Sequence, residues 1–198
     1  MDNTWEQDQE WEGKWWGTCL NTWGEEQKQR HYAKRMGLQE KSNSQFSFYY
    51  DLEGKSVLDI GCGPTSLLLK SVNLGKAKAI DPLRYPDWVA ERYKYAGIEY
   101  VQVKAEDLVE TGYDEVWIYN VLQHVIDPAA IIGNAKRAGK IVRVFEWLEI
   151  GVAPGHPWNL LEDQMNEWFG GEGKVNPDVA RGKEYYGIFL GDSYQGEE

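Results

Sequence analysis

The stretch Ser56-Val57-Leu58-Asp59-Ile60-Gly61-Cys62-Gly63 constrains the fold of this chain more than any other segment. An apolar run ends in an acid, and two glycines follow, one residue apart. The pattern reads as a buried strand that turns sharply into a helix. Glycine permits the turn and leaves bare backbone for a ligand to touch. The next residues, Thr65-Ser66-Leu67-Leu68-Leu69-Lys70, predict a helix over 65–72. A second strand-like run, Ala77-Lys78-Ala79-Ile80, ends in Asp81.

From residue 55 onward, strand-like and helix-like segments alternate. Strands are expected near 55–60, 76–81, 98–103, 114–119 and 140–147, and helices near 65–72, 86–95, 127–137 and 158–169. Short apolar strands without strict alternation, separated by helices, indicate an α/β fold. Its doubly wound, mostly parallel sheet carries helices on both faces. The segment Glu184-Tyr185-Tyr186-Gly187-Ile188-Phe189-Leu190 suits a final hairpin, and the polar stretch Gly191 to Glu198 is expected to fray.

Residues 1–50 read as an N-terminal helical and aromatic cap, and residues 51–198 as the core domain. Trp5, Trp11, Trp15, Trp16 and Trp23 all fall in the cap. Trp11, Trp15, Cys19 and Trp23 step by four, which marks one face of a helix. A second helix is expected from Glu25 to Met36, stopped by Gly37. The aromatic run Phe46-Ser47-Phe48-Tyr49-Tyr50 leads into the first core strand. Indole stripes at this spacing are expected to pack mostly as core, with one or two rings turned toward a ligand.

The formal net charge of -11 argues against broad docking on a phosphate backbone, so no nucleic-acid partner is expected. The two cysteines, Cys19 and Cys62, form neither a CxxC pair nor a disulfide framework, which favours a reducing cytoplasmic setting. No run approaches the ~18 apolar residues of a membrane span, and no signal-like segment opens the chain. A soluble protein without a membrane partner is expected. Composition gives no basis for an oligomeric state. His31, His124 and His156 lie far apart, without H-E-x-x-H or similar spacing, so no metal is expected.

Asp81 stands about 20 residues beyond the glycine turn, where nucleotide-binding βαβ units place a carboxylate for ribose hydroxyls. A dinucleotide site would want G-x-G-x-x-G, but Ser66 holds the third position and no basic residue near the turn would neutralise a diphosphate. A nicotinamide-dependent oxidoreductase is disfavoured by Ser66 and by the missing tyrosine–lysine pair at helical spacing. Asp59-Ile60-Gly61-Cys62-Gly63 instead resembles the first motif of the class I S-adenosylmethionine-dependent methyltransferases. Asp81 is similar to the family's ribose-binding acid, and Ala105-Glu106-Asp107-Leu108 to its adenine loop. Asn120-Val121-Leu122-Gln123-His124-Val125 is similar to the segment after the fourth strand in the small-molecule branch. The resemblance covers roughly residues 50–150. It implies a seven-stranded Rossmann-like sheet with an antiparallel last strand, S-adenosylmethionine as cofactor, and in-line methyl transfer to a small molecule.

The resemblance also assigns roles. Gly61, Cys62 and Gly63 would pass close to the methionine part of the cofactor, with Cys62 as a small space-filler. Asp59 would order the turn. Asp81, with Pro82 beside it, would meet the ribose, Ala105 and Glu106 the adenine, and Asn120 the methionine end. His124 is the candidate general base, since imidazole takes a proton near neutral pH; the alternative is a loop-capping or packing role. His31 and His156 are candidates to line an entrance. Family members build the acceptor site from the N-terminal segment and the stretch after the fifth strand, here Glu146 to Trp158. This makes Trp15, Trp16, Tyr49, Tyr50 and His156 the candidate substrate residues. No Asn/Asp-Pro-Pro-Tyr/Phe signature of nucleic-acid base methylation follows the fourth strand. The competing function is a non-catalytic domain of the same fold that binds a partner protein through its Trp-rich N-terminus.

Overall fold

The computed structural model describes residues 4–44, 47–178 and 182–194. The chain begins with α1 (Trp5–Trp16) and α2 (Trp23–Arg35), followed by β1 (Glu40–Ser44), β2 (Ser47–Asp51), β3 (Val57–Ile60) and the two-residue β4 (Ser71–Val72). Then come β5 (Ala77–Asp81), α3 (Asp87–Tyr95), β6 (Glu99–Gln102), β7 (Tyr113–Tyr119) and α4 (Pro128–Ala138). The chain continues through β8 (Gly139–Leu148), α5 (Glu162–Phe169), β9 (Lys174–Asp178) and β10 (Gly182–Leu190).

The main sheet has seven strands in the order β6-β5-β3-β7-β8-β10-β9. The first five run parallel, and β10 is antiparallel to both β8 and β9. All residues of β3 and β5 are buried, as expected for central strands covered on two faces. Along β7 the side chains alternate between the two faces. Val116 and Ile118 join the core with α4 and α5, while Trp117 and Tyr119 join the core with α2 and α3. The expected doubly wound sheet, helical coverage and final hairpin are all present.

Three expectations are corrected. Residues 65–72 form no α-helix. Gly63–Thr65 and Leu67–Lys70 are single 3-10 turns, separated by Ser66 in an extended conformation. Tertiary hydrogen bonds explain the break: Ser66 N–H donates to the Tyr93 hydroxyl (3.0 Å) and Leu67 N–H to the Tyr119 hydroxyl (3.1 Å). Ser66 Oγ then accepts from Leu68 N–H.

The tryptophan stripe does not share one helix, because α1 ends at Gly17. Trp11, Trp15 and Trp23 remain exposed at 52%, 68% and 71%, so the cap does not bury most of its indoles.

The cap is also not purely helical. β2 pairs antiparallel with β1 and parallel with β4 in a separate three-stranded sheet, so the boundary expected at residue 50 falls inside a strand. Phe46 and the last four residues of the tail lie outside the described residues.

Of the cap elements, α2 packs most firmly. Its Tyr32 stacks on Phe145 at 4.2 Å between ring centroids, and Ala33 and Met36 are fully buried. Among the described residues, no helix is long and apolar enough to cross a membrane.

Candidate functional site

The carboxyl ends of the parallel strands open into a cavity of about 710 Å³, roofed by α1. This is where open α/β sheets bind ligands. At its floor lies the glycine turn after β3. Gly61 has φ +66°, and a Cβ there would stand 2.5 Å from the Val121 side chain. Gly63 has φ +58°, and a Cβ there would come within 3.3 Å of the Trp16 ring. Both positions require glycine, for left-handed backbone and for close approach.

Asp59 sits beneath this turn. Its Oδ2 accepts from Ser66 Oγ (2.5 Å) and from the Tyr119 hydroxyl (2.6 Å). Burial pushes its carboxyl up to about 7, against the opposing pull of those two donors. Asp59 therefore organises the turn from behind and does not line the cavity. Cys62 is likewise buried off the cavity wall, and burial raises its thiol pKa well above the ordinary range. The side chains of Asp59 and Cys62 are thus both buried and set back from the cavity wall.

Asp81 does face the cavity. Its Oδ2 accepts from Gly63 N–H (2.9 Å), and its Oδ1 accepts from Leu83 N–H (2.9 Å) and the Tyr85 hydroxyl (3.2 Å). Burial lifts it to about 6. Pro82, Ala105, Glu106 and Asn120 line the same wall. Glu106 Oε1 accepts from the N–H groups of Ile126 (3.0 Å) and Asp127 (3.3 Å), which ties the loop after β6 to the start of α4.

Asn120 closes the end of β7 with φ +58°, and its N–H donates to the Phe145 carbonyl. The strained turn that follows is held by Glu146, whose Oε1 accepts from Val121 N–H (2.8 Å) and Leu122 N–H (3.0 Å). Glu146 is fully buried and burial raises it to about 7. Its positioning role was not read from sequence. The available signal is a lone acid inside the apolar run Val144-Phe145-Glu146-Trp147-Leu148.

His124 lies at the far end of the cavity. Its Nδ1 is 2.6 Å from the Gly155 carbonyl and 3.2 Å from Glu12 Oε1, which makes Nδ1 the protonated nitrogen. Nε2 accepts from the Gln123 side-chain amide at 3.1 Å. Burial pulls its pKa down, but Glu12 and the Gly155 carbonyl more than offset this, and the net shift is upward. His156 packs against it, with 4.5 Å between ring centroids. The loop carrying His156 is fastened to α1, since Gly155 N–H donates to the buried Asp8 (2.8 Å).

Of the candidate substrate residues, Trp15, Trp16 and His156 line the cavity. Tyr49 and Tyr50 do not, because β2 places them in the small sheet, where Tyr50 is buried in the core with Met36 and Leu52. His31 also lies away from the cavity and pairs with Glu184 at 2.6 Å. Sequence reasoning missed Glu12, Tyr32 and Trp147, which also reach the cavity wall. Their signal was invisible locally, since each belongs to a different segment.

Residues 58–141 match the family model described as Methyltransferase domain. A ubiquinone biosynthesis O-methyltransferase from Neisseria meningitidis serogroup C is 37% identical over 91 residues, which is 41% of this chain and 38% of that protein. The chain thus spans less than half the length of the curated relatives it matches. The fold is shared with a SAM-dependent methyltransferase from Aquifex aeolicus (TM-score 0.53, 18% identity, 81% of this chain and 89% of that one). It is also shared with magnesium protoporphyrin IX methyltransferase from Synechocystis PCC 6803, crystallised with bound SAH (TM-score 0.52, 16% identity, 70% and 74% covered). The glycine turn, Asp81 and the Asn120 segment meet in one cavity, and all three fall within the stretch that is similar to the methyltransferase domain.

Proposed function

We propose that this chain methylates a hydroxyl oxygen of a small molecule, using S-adenosylmethionine bound across the carboxyl ends of β3, β5 and β7. The observation that carries the reading is one continuous cavity. It joins Gly61, Gly63 and Asp81 at one end to His124, His156 and the indoles of α1 at the other. Its volume, about 710 Å³, falls in the range of small-molecule sites. The residues fit the cofactor. The glycine turn leaves no side chain between backbone and ligand, and Asp81 offers an acceptor for ribose hydroxyls.

When bound, S-adenosylmethionine supplies a methyl group already activated by a positive sulfur. The protein holds and shields it. Asp81 and Pro82 meet the ribose, Ala105 and Glu106 the adenine, and Asn120 the methionine end, while Trp16 and Trp15 cover the cavity against water. The acceptor enters between α1 and the 153–156 loop. There His124 Nε2, once an acceptor hydroxyl replaces the Gln123 amide as its donor, takes the hydroxyl proton, with Glu12 and the Gly155 carbonyl stabilising the imidazolium. Oxygen is favoured over nitrogen or carbon because the curated relatives are O-methyltransferases. The buried, unpaired cysteines fit a reducing cytoplasm.

Calorimetry on the full chain should show one site for S-adenosylmethionine or its demethylated product. Turnover of methyl-labelled cofactor should follow with a panel of hydroxylated aromatic compounds. Failure of both molecules to bind at millimolar concentration would refute the cofactor site. Cofactor binding without turnover on any acceptor, including a metabolite extract, would favour the partner-binding domain.

A further inference from the structure

We propose that Glu12, His124 and His156 form a site for a divalent transition-metal ion of the zinc class at the acceptor end of the cavity. One ligand atom from each residue lies within 4.8 Å of the others. Glu12 Oε1 and His124 Nδ1 are already 3.2 Å apart. A tetrahedral zinc with bonds of about 2.0–2.1 Å wants ligand atoms roughly 3.4 Å apart, so that edge has the right length once Nδ1 gives up its proton and its bond to the Gly155 carbonyl. His156 offers the third ligand atom, within 4.8 Å of the other two. The donor set, two imidazoles and a carboxylate, is one that zinc and its neighbours take readily. Local spacing could not show it, because the ligands come from α1, the turn after β7 and the loop after β8.

A second observation supports the same site. Gln123 is buried, with 2% exposed, and its Oε1 has no hydrogen-bond partner. Its amide nitrogen now faces His124 Nε2 at 3.1 Å. Ligation through Nδ1 moves the imidazole proton to Nε2, and a half-turn of the Gln123 amide then brings the orphan oxygen to accept it. Metal-bound imidazoles use this kind of outer-shell acceptor. Asn120 Oδ1, which now accepts from the same amide nitrogen at 3.1 Å, can turn its own amide to match.

Three protein ligands leave positions open toward the cavity, the pattern of a catalytic rather than a structural ion. An acceptor hydroxyl bound there would lose its proton more easily, to water in the cavity. His124 is then a ligand, and activation of the oxygen passes from imidazole to metal. This role rests on the cavity being an acceptor site, but the ion site itself does not. Because Glu12 belongs to α1, the ion also pins that helix over the cavity.

The test uses metal-stripped full-length protein titrated with Co²⁺, followed by its visible d–d absorption, with Zn²⁺ as competitor. The expected result is one Co²⁺ per chain, displaced by Zn²⁺. Glu12→Gln and His156→Ala should each weaken it at least about tenfold, and Gln123→Leu should weaken it while leaving all three ligands in place. Circular dichroism and cofactor calorimetry on the same variants establish that they fold. No visible band and no uptake up to millimolar Co²⁺ would overturn the proposal, as would binding indifferent to both ligand variants. Cofactor calorimetry without metal keeps the two readings separate: its failure refutes the methyltransferase reading and leaves the ion titration to stand or fall alone.

Discussion

The two ends of the cavity are built on different plans. The cofactor end is nearly all local in sequence and buried in the sheet. Asp59, Ser66, Gly63 and Asp81 are linked within the β3–β5 unit, and Tyr93 and Tyr119 lock them from either side. The acceptor end is assembled from segments far apart in the chain. It is held by a few polar contacts, chiefly Asp8 to Gly155 and Glu12 to His124, with Trp16 over Gly63. In α1 only Asp8 is buried. On the proposed reading, binding the cofactor would draw on the cooperative core, whereas admitting the acceptor would draw on α1, an element with little buried surface of its own.

The sharpest way to break this contrast is substitution at the turn. Gly61→Val combines a left-handed backbone with a clash against Val121, and should cost more than about 3 kcal/mol. Thermal denaturation would show a large fall and calorimetry no cofactor binding. A melting temperature near that of the parent would mean the turn is not rigid.

Asp81→Ala should weaken the cofactor by about 1.5–3 kcal/mol, the range for hydrogen bonds to a charged group. An unchanged dissociation constant would place the ribose elsewhere. Affinity should also depend on pH. Asp81 titrates at about 6, and only its charged form is a full acceptor for two hydroxyls. Binding should therefore tighten between pH 5 and 7, and Asp81→Asn should flatten that dependence.

Stability should run the other way. Asp59 and Glu146 are both lifted to about 7, from ordinary values of 3.8 and 4.5. Between those limits the folded protein holds protons that the unfolded chain releases, so stability falls as pH rises. The ligand-free protein should melt at a higher temperature at pH 5 than at pH 8. A flat or rising profile would contradict the burial of these carboxyls.

The acceptor end should respond through dynamics. Amides of residues 5–16 should exchange faster than those of β3 and β5 in the free protein, and slow when cofactor and acceptor bind. Equal protection in both states would mark α1 as a permanently packed cap. The smallest effect is expected from Trp15→Ala. Its exposed indole should change stability by less than about 0.5 kcal/mol, because surface positions seldom cost more. The expected signature is a raised KM for the acceptor with cofactor affinity preserved.

Residue order alone was enough for the alternating α/β plan, the buried strands, the glycine turn and its two acids. Each of these is written in contiguous residues, as hydrophobic runs or as backbone positions that only glycine fills. Even there the sequence misjudged 65–72, where local helix propensity lost to hydrogen bonds donated by the Ser66 and Leu67 backbone to the hydroxyls of Tyr93 and Tyr119 on distant elements. Only the tertiary structure decided that Tyr49 and Tyr50 belong to a flanking sheet, that Glu146 braces the turn leading to His124, and that Glu12 and His156 meet that histidine. The physical reason is common to all three. A side chain's partner across the fold is set by strand order and by how α1 docks, and neither leaves a periodic or spaced trace in the sequence.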